Sequence, residues 1–182
     1  MAIAAMQRQF NVKASLEQYC ITNLVTTDGL KLKIPGVEFN SRPLASWIAL
    51  DYLDKNNAEN FRAGDGGAPA CQVEMIFQIS CLLKSRSATG APVNIRALDT
   101  LRDTVLGRFS PNTQINVYDY YSSAGTTTPV GSLCVKFAED TPSSRWNPQL
   151  SSSNLQAVSP DDEVQAHIVT VYVEYTEPRA ST

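Results

Sequence analysis

The clearest periodic signal in the chain runs from Cys71 to Lys84. Val73, Met75, Phe77, Ile79, Cys81 and Leu83 occupy one side of it, while Gln72, Glu74, Gln78, Ser80 and Lys84 dominate the other. A period of two is the mark of a strand with one buried face. The run is long for a strand, a length that suits an element projecting from the sheet or crossing a subunit boundary. Residues 12–24 repeat at helical spacing instead, through Val12, Leu16, Tyr19, Cys20 and Leu24. Asn11 is the expected N-cap, and Asp28-Gly29 the turn after the helix. A second helix follows Pro92, with Asn94 as cap. Its buried stripe is Ile95, Leu98, Leu101, Val105 and Phe109, and Arg96, Asp99, Arg102 and Asp103 face water. Pro111 stops it, because proline lacks the amide donor a helix needs.

The shorter segments complete the pattern. Leu30 to Phe39, interrupted by Pro35-Gly36, predicts a short strand, a turn and another short strand. Leu44 to Leu53 fits a strand better than a helix, given Pro43 before it and its aromatic content. Three strands are expected near the end. They are Ile115 to Tyr121, Gly131 to Phe137 with Leu133, Val135 and Phe137 on one face, and Val164 to Tyr175 with Val169, Val171, Val173 and Tyr175 on one face. Polar or small-residue stretches at 54–69, 85–91, 122–129 and 138–163 read as loops. This order lacks the βαβαβ alternation of a doubly wound sheet. It predicts an α+β fold: a mixed, mainly antiparallel sheet with two helices packed on one face, long loops and a projecting hairpin. One domain is expected over 1–182, with a core over about 12–177 and loose ends at 1–11 and 178–182.

Composition changes that picture little. Of 182 residues, 43% are hydrophobic and 18% charged, so the chain can bury a core without metals or disulfides. The net charge of −3 argues against nucleic acid as the main partner, because phosphate binding needs a positive footprint. A low net charge also leaves little self-repulsion between packed copies. No apolar run is long enough for a membrane span. Arg8 falls where a signal peptide would be apolar, so a cytoplasmic site of synthesis is expected.

Candidate chemistry is sparse. Cys20, Cys71, Cys81 and Cys134 form no CxxC, and no Cys/His spacing fits zinc. Cys71 and Cys81 share one strand and stand about 33 Å apart along it, too far for a disulfide. All four are expected as reduced, small hydrophobes. His167 is the single histidine. On the Val169 and Val171 face of its strand it reads as a hydrogen-bonded sheet histidine, not a catalytic base. No G-x-S-x-G elbow holds a serine, and Gly64-Asp65-Gly66-Gly67 lacks phosphate-loop spacing. Asp161-Asp162-Glu163 reads as a solvated turn, with docking on a basic neighbour as the second reading. Trp47 is expected in the core and Trp146 at an interface. Catalytic, cofactor and metal sites are not expected.

The order of elements resembles the tail terminator proteins of tailed bacteriophages, a tail-completion and neck-ring family. The features that carry this are the N-terminal helix, the segment Val37-Glu38-Phe39-Asn40, the long strand Cys71 to Lys84, the helix Asn94 to Phe109, and the strands at 115, 131 and 164. The resemblance covers about residues 12–177. It implies a non-enzymatic virion protein that forms a homohexameric ring on the end of the tail tube, stops tube polymerisation and offers the head–tail joining surface. The implied partners are copies of itself, the tail tube protein, a head–tail connector or neck protein, and DNA passing through the lumen without specific binding. Arg42, Arg62, Arg86 and Arg96 are candidates for that lumen. The alternatives are another neck, connector or head-completion ring protein, and an unassigned small-molecule-binding domain. From loop position and composition, the expected interface residues are Arg62, Asp65, Arg86, Tyr120, Tyr121, Trp146, Asp161 and Asp162.

Overall fold

Alternation along three long strands generates the sheet. β4 (Ala70–Lys84) pairs antiparallel with β7 (Val164–Pro178) from Ala70↔Pro178 to Lys84↔Val164. This pairing brings Val73, Met75, Phe77 and Ile79 beside Tyr175, Val173, Val171 and Val169, so both apolar faces fall on one side. β2 (Ser46–Asn56) pairs antiparallel with the other edge of β4, and β6 (Gly131–Ser143) with the other edge of β7. The order is β1-β2-β4-β7-β6-β5, where β1 is Leu32–Lys33 and β5 is Gln114–Val117. β3 (Phe61–Arg62) continues beside β4. Only β1 and β2 are parallel among the described pairs, so the sheet is mixed and mainly antiparallel. The computed structural model describes residues 9–56, 61–62, 70–84, 96–121, 128–143 and 164–178.

Two α-helices cover one face, as the α+β pattern requires. α1 (Gln9–Cys20) and α2 (Arg96–Arg108) send Val12, Leu16, Cys20, Leu98, Leu101 and Val105 into the core against Phe77, Ile79, Val135 and Val171. Phe109 meets Tyr19 and Phe77 at ring-centroid separations of 5.5 Å each. α1 continues as a π-helical turn, Ile21–Thr27, which ends at Gly29 with φ +73°. Glycine fits that left-handed conformation without a Cβ clash. At one end of the opposite face, Trp47, Ala49, Leu82, Val164 and Ala166 are buried with Phe39 and Leu44 packed on them. Trp47 is therefore a core residue. The β4–β7 ribbon runs past the last paired residues of β2 and β6 through Ala70–Val73 and Tyr175–Pro178, flanked there by β3.

Several local expectations need correction. Asn11 is not a cap: it lies inside α1, fully buried, with its side chain turned inward to Asp119 and Tyr120. The second short strand after Pro35 is absent, and Val37 is exposed in a turn closed by its amide on the Ile34 carbonyl. β5 ends at Val117, short of Tyr121, because the amides of Tyr118 and Tyr120 bond to α1 side chains. β6 continues past Phe137 to Ser143, into the stretch expected as loop. A bulge between Val135 and Phe137 shifts the register, so Phe137 pairs with Tyr172 and leaves the face of Leu133 and Val135. Arg102 does not simply face water but binds Asp103 and Asp140.

Candidate interaction surfaces

The end of the molecule beyond β5 is assembled from two distant parts of the chain. Asn11 donates to Asp119 Oδ1 at 2.9 Å and accepts the Tyr120 amide at 3.1 Å. Ser15 Oγ accepts the Tyr118 amide at 2.9 Å. Two buried polar side chains of α1 thus hold the segment that follows β5, satisfying amides that would be costly to bury unpaired. The result is an aromatic cluster. Phe10 packs edge-on to Tyr121 at 5.5 Å and to Tyr120 at 6.4 Å. Phe10 remains 56% exposed and Tyr121 65% exposed. Rings so exposed gain little from folding and have much to gain from docking.

A second apolar patch lies on the sheet face away from the helices. The bulge in β6 turns Phe137 onto this face, where its ring stacks on Tyr172 at 4.2 Å and stays 45% exposed. Charged groups border it: Lys136 binds Glu174 at 2.9 Å, and Glu74 and Glu139 are exposed. An apolar centre with a charged rim is the anatomy of a protein interface.

The group of ionisable residues around Arg102 is structural in its geometry. Arg102 bridges Asp140 at 3.0 Å and Asp103 at 2.8 Å. His167 Nδ1 lies 3.3 Å from Asp140 Oδ1, and Nε2 lies 3.6 Å from Asp99 Oδ1. This set ties α2 to the end of β6 and β7. Cys81, Cα partner of His167 in the sheet, is fully buried, and burial pushes its thiol up to about 12. A thiol held neutral is no nucleophile near pH 7. Cys20 is buried likewise and pushed up to about 12. Cys134 is half-buried, and all three are free thiols. Among the described residues no group of three His, Cys, Asp or Glu side chains is placed to hold a metal ion. No described helix is long and apolar enough to cross a membrane.

A groove of about 300 Å³ separates α1 and the π turn from the outer edge of β5. Gln18, Thr22, Asn23, Gln114, Asn116 and Tyr118 line it, and no charged side chain does.

Of the residues expected at an interface, Tyr120 and Tyr121 come together, with Phe10 as a third member that sequence reasoning missed. The signal was present: Phe10 sits off the Val12–Leu16–Cys20 stripe and has only Lys13 and Ala14 at helical spacing ahead of it. Arg62 lies on β3, its side chain outside the described residues, and Asp65, Arg86, Trp146, Asp161 and Asp162 lie outside them altogether. The side chain of Cys71 does too. Of the lumen candidates, Arg42 lies two residues after Asn40, whose Oδ1 accepts its amide, and Arg96 opens α2. No protein-family profile and no curated protein matches this sequence.

Proposed function

We propose that this chain is a non-enzymatic structural subunit that works by self-assembly, as a tail terminator ring at the end of a phage tail tube. The observation that supports this most is the exposed aromatic cluster of Phe10, on α1, and Tyr120 and Tyr121, in the turn after β5, anchored by buried hydrogen bonds. A cluster fixed from beneath is pre-organised, so docking on it loses little side-chain entropy. The Phe137–Tyr172 patch on the open sheet face offers a second, differently oriented surface. Two unlike surfaces on one subunit are what a head-to-tail ring requires, since each copy must use one patch toward each neighbour. The order of elements, resembling the terminator family, supplies the biological setting: a virion protein at the tail–neck junction, made in the host cytoplasm, joining tube to connector around passing DNA. Another neck or connector ring is the second reading, favoured by the same two patches.

The discriminating experiment mixes purified protein with tail tubes and images the tube ends. Tubes capped at one end and halted in growth are expected. Unaltered tube length together with binding to the head connector would move the assignment to another neck protein.

A further inference from the structure

Charge is spread unevenly over the open face of the sheet. Glu74, Glu139 and Glu174 follow the alternation of β4, β6 and β7 onto the face that carries Phe137 and Tyr172. The register sets them on both sides of the aromatic pair along the strands, Glu139 at the Thr170 end and Glu174 beside Glu74 at the other. Lys136 is the nearby cation, bound to Glu174 at 2.9 Å and within the field of Glu74. Three carboxylates against one ammonium leave this patch with an excess of two negative charges. Burial first and the Glu139 carboxylate second push the pKa of the Tyr172 hydroxyl up, so the negative charge stands against the stacked rings. Aromatic faces are themselves electronegative, and the patch therefore favours a cation beside an apolar group.

The far edge of the sheet has the opposite character. β1 and the segment after it, residues 31–44, hold Lys31, Lys33 and Arg42 against one carboxylate, Glu38. Lys33 has Asp51 of β2 as a neighbour in charge. Lys31 and Arg42 are exposed, and among the described residues neither makes an ion pair. Val37, 58% exposed, lies between Lys33 and Arg42 in the chain, at the turn closed on the Ile34 carbonyl. This edge is an apolar tip with cations before and after it. Across the sheet, four strand spacings separate β1 from β6, about 19 Å. That exceeds about two Debye lengths at physiological salt, so the two charge excesses do not neutralise each other inside one copy.

We propose that the β1 edge of one copy docks on the Phe137–Tyr172 patch of the next. This rests on the self-assembly reading and names the contact that joins neighbours. Val37 meets the stacked rings, while Lys31 and Arg42 meet Glu74 and Glu139, so each side supplies what the other lacks. The two surfaces differ and lie toward opposite edges of one sheet. The contact is therefore head-to-tail and repeats in one direction, the geometry that a closed ring needs. DNA does not suit the patch, since its phosphates would meet carboxylates. Arg42 in this arrangement faces a neighbouring subunit and not the lumen.

The test uses two full-length charge variants, Lys31→Glu/Arg42→Glu and Glu74→Lys/Glu139→Lys. All four positions are exposed, and circular dichroism and melting check that both variants fold. Self-association is read by sedimentation, and assembly on tail tubes by imaging. The expected result is wild-type assembly that salt weakens, and assembly at least about tenfold weaker in each variant alone. An equimolar mixture of the two variants regains it. The reversed edge of the first fits the reversed patch of the second, and the unaltered edge of the second fits the unaltered patch of the first. Assembly that persists in either variant overturns the contact and leaves the self-assembly reading standing. Weakened variants that do not recover on mixing overturn it too, because the two sets of charges then do not meet. A wild-type chain that stays monomeric, alone and with tail tubes, removes the reading and the contact together.

Discussion

Asn11→Ala puts the anchoring of the aromatic cluster to its most direct test. The wild-type amide makes two hydrogen bonds to a segment more than a hundred residues away, one to the Asp119 carboxylate and one from the Tyr120 amide. Loss of the bond to an ionised carboxylate costs about 1.5–3 kcal/mol. Leaving the Tyr120 amide without its acceptor adds about 1–3 kcal/mol if the site stays dry. Alanine regains a little over half a kcal/mol of helix propensity, roughly. Part of the first two costs is recovered as water enters, so the net loss is set at about 2–4 kcal/mol. For a chain of this size that lowers the melting temperature by about 4–16 °C. Urea denaturation gives the free energy, and hydrogen exchange of the Tyr118 and Tyr120 amides localises it. Ser15→Ala loosens the same segment through Tyr118, so the double variant falls short of the sum of the singles. A loss below about 0.5 kcal/mol, or unchanged protection of the Tyr120 amide, refutes the claim that α1 holds this surface in place.

Other consequences can be checked alongside. Phe109→Ala removes a fully buried ring between Tyr19 and Phe77, and denaturant melts should show a loss of about 3–5 kcal/mol. The Arg108 guanidinium, hydrogen-bonded to Asp28, holds that carboxyl below the usual aspartate range. A depressed folded-state pKa stabilises above the unfolded value of about 3.9 and loses that contribution as pH falls through the folded value. The stability gap between wild type and Asp28→Asn should therefore be full above the unfolded value and close as pH falls below it, through the depressed folded value, in pH-dependent melts. Alkylation of the native protein at pH ~8 followed by peptide mapping should label Cys134 well before Cys20 or Cys81, whose thiols are buried and raised to about 12. Phe10→Ser with Tyr121→Ser should leave folding stability within about 1 kcal/mol, since both rings are mostly exposed, while weakening self-association severalfold by sedimentation.

What the sequence made legible is what local periodicity controls. β4, β7 and α2 follow from runs in which every second residue, or every third and fourth, is apolar, and their faces match the core. The illegible parts depend on partners far along the chain. Glu139-Asp140-Thr141-Pro142 has the composition of a loop, yet pairing with β7 holds it as strand. Phe137 continues the alternation of Leu133 and Val135 on paper, but one extra residue in the bulge turns it to the other face, and no local pattern announces the bulge. Asn11 has the chemistry of a cap and uses it instead on a segment beyond β5. At the candidate interface, composition found Tyr120 and Tyr121 but not Phe10, because contact between residues 10 and 121 is a property of the fold.

Self-assembly is the central claim, and native mass as a function of concentration, with negative-stain images of the same samples and of samples mixed with tail tubes, tests it most directly. Closed rings with a central hole, free or on tube ends, are the predicted result. A monomer at every concentration, with bare and unaltered tube ends, contradicts it.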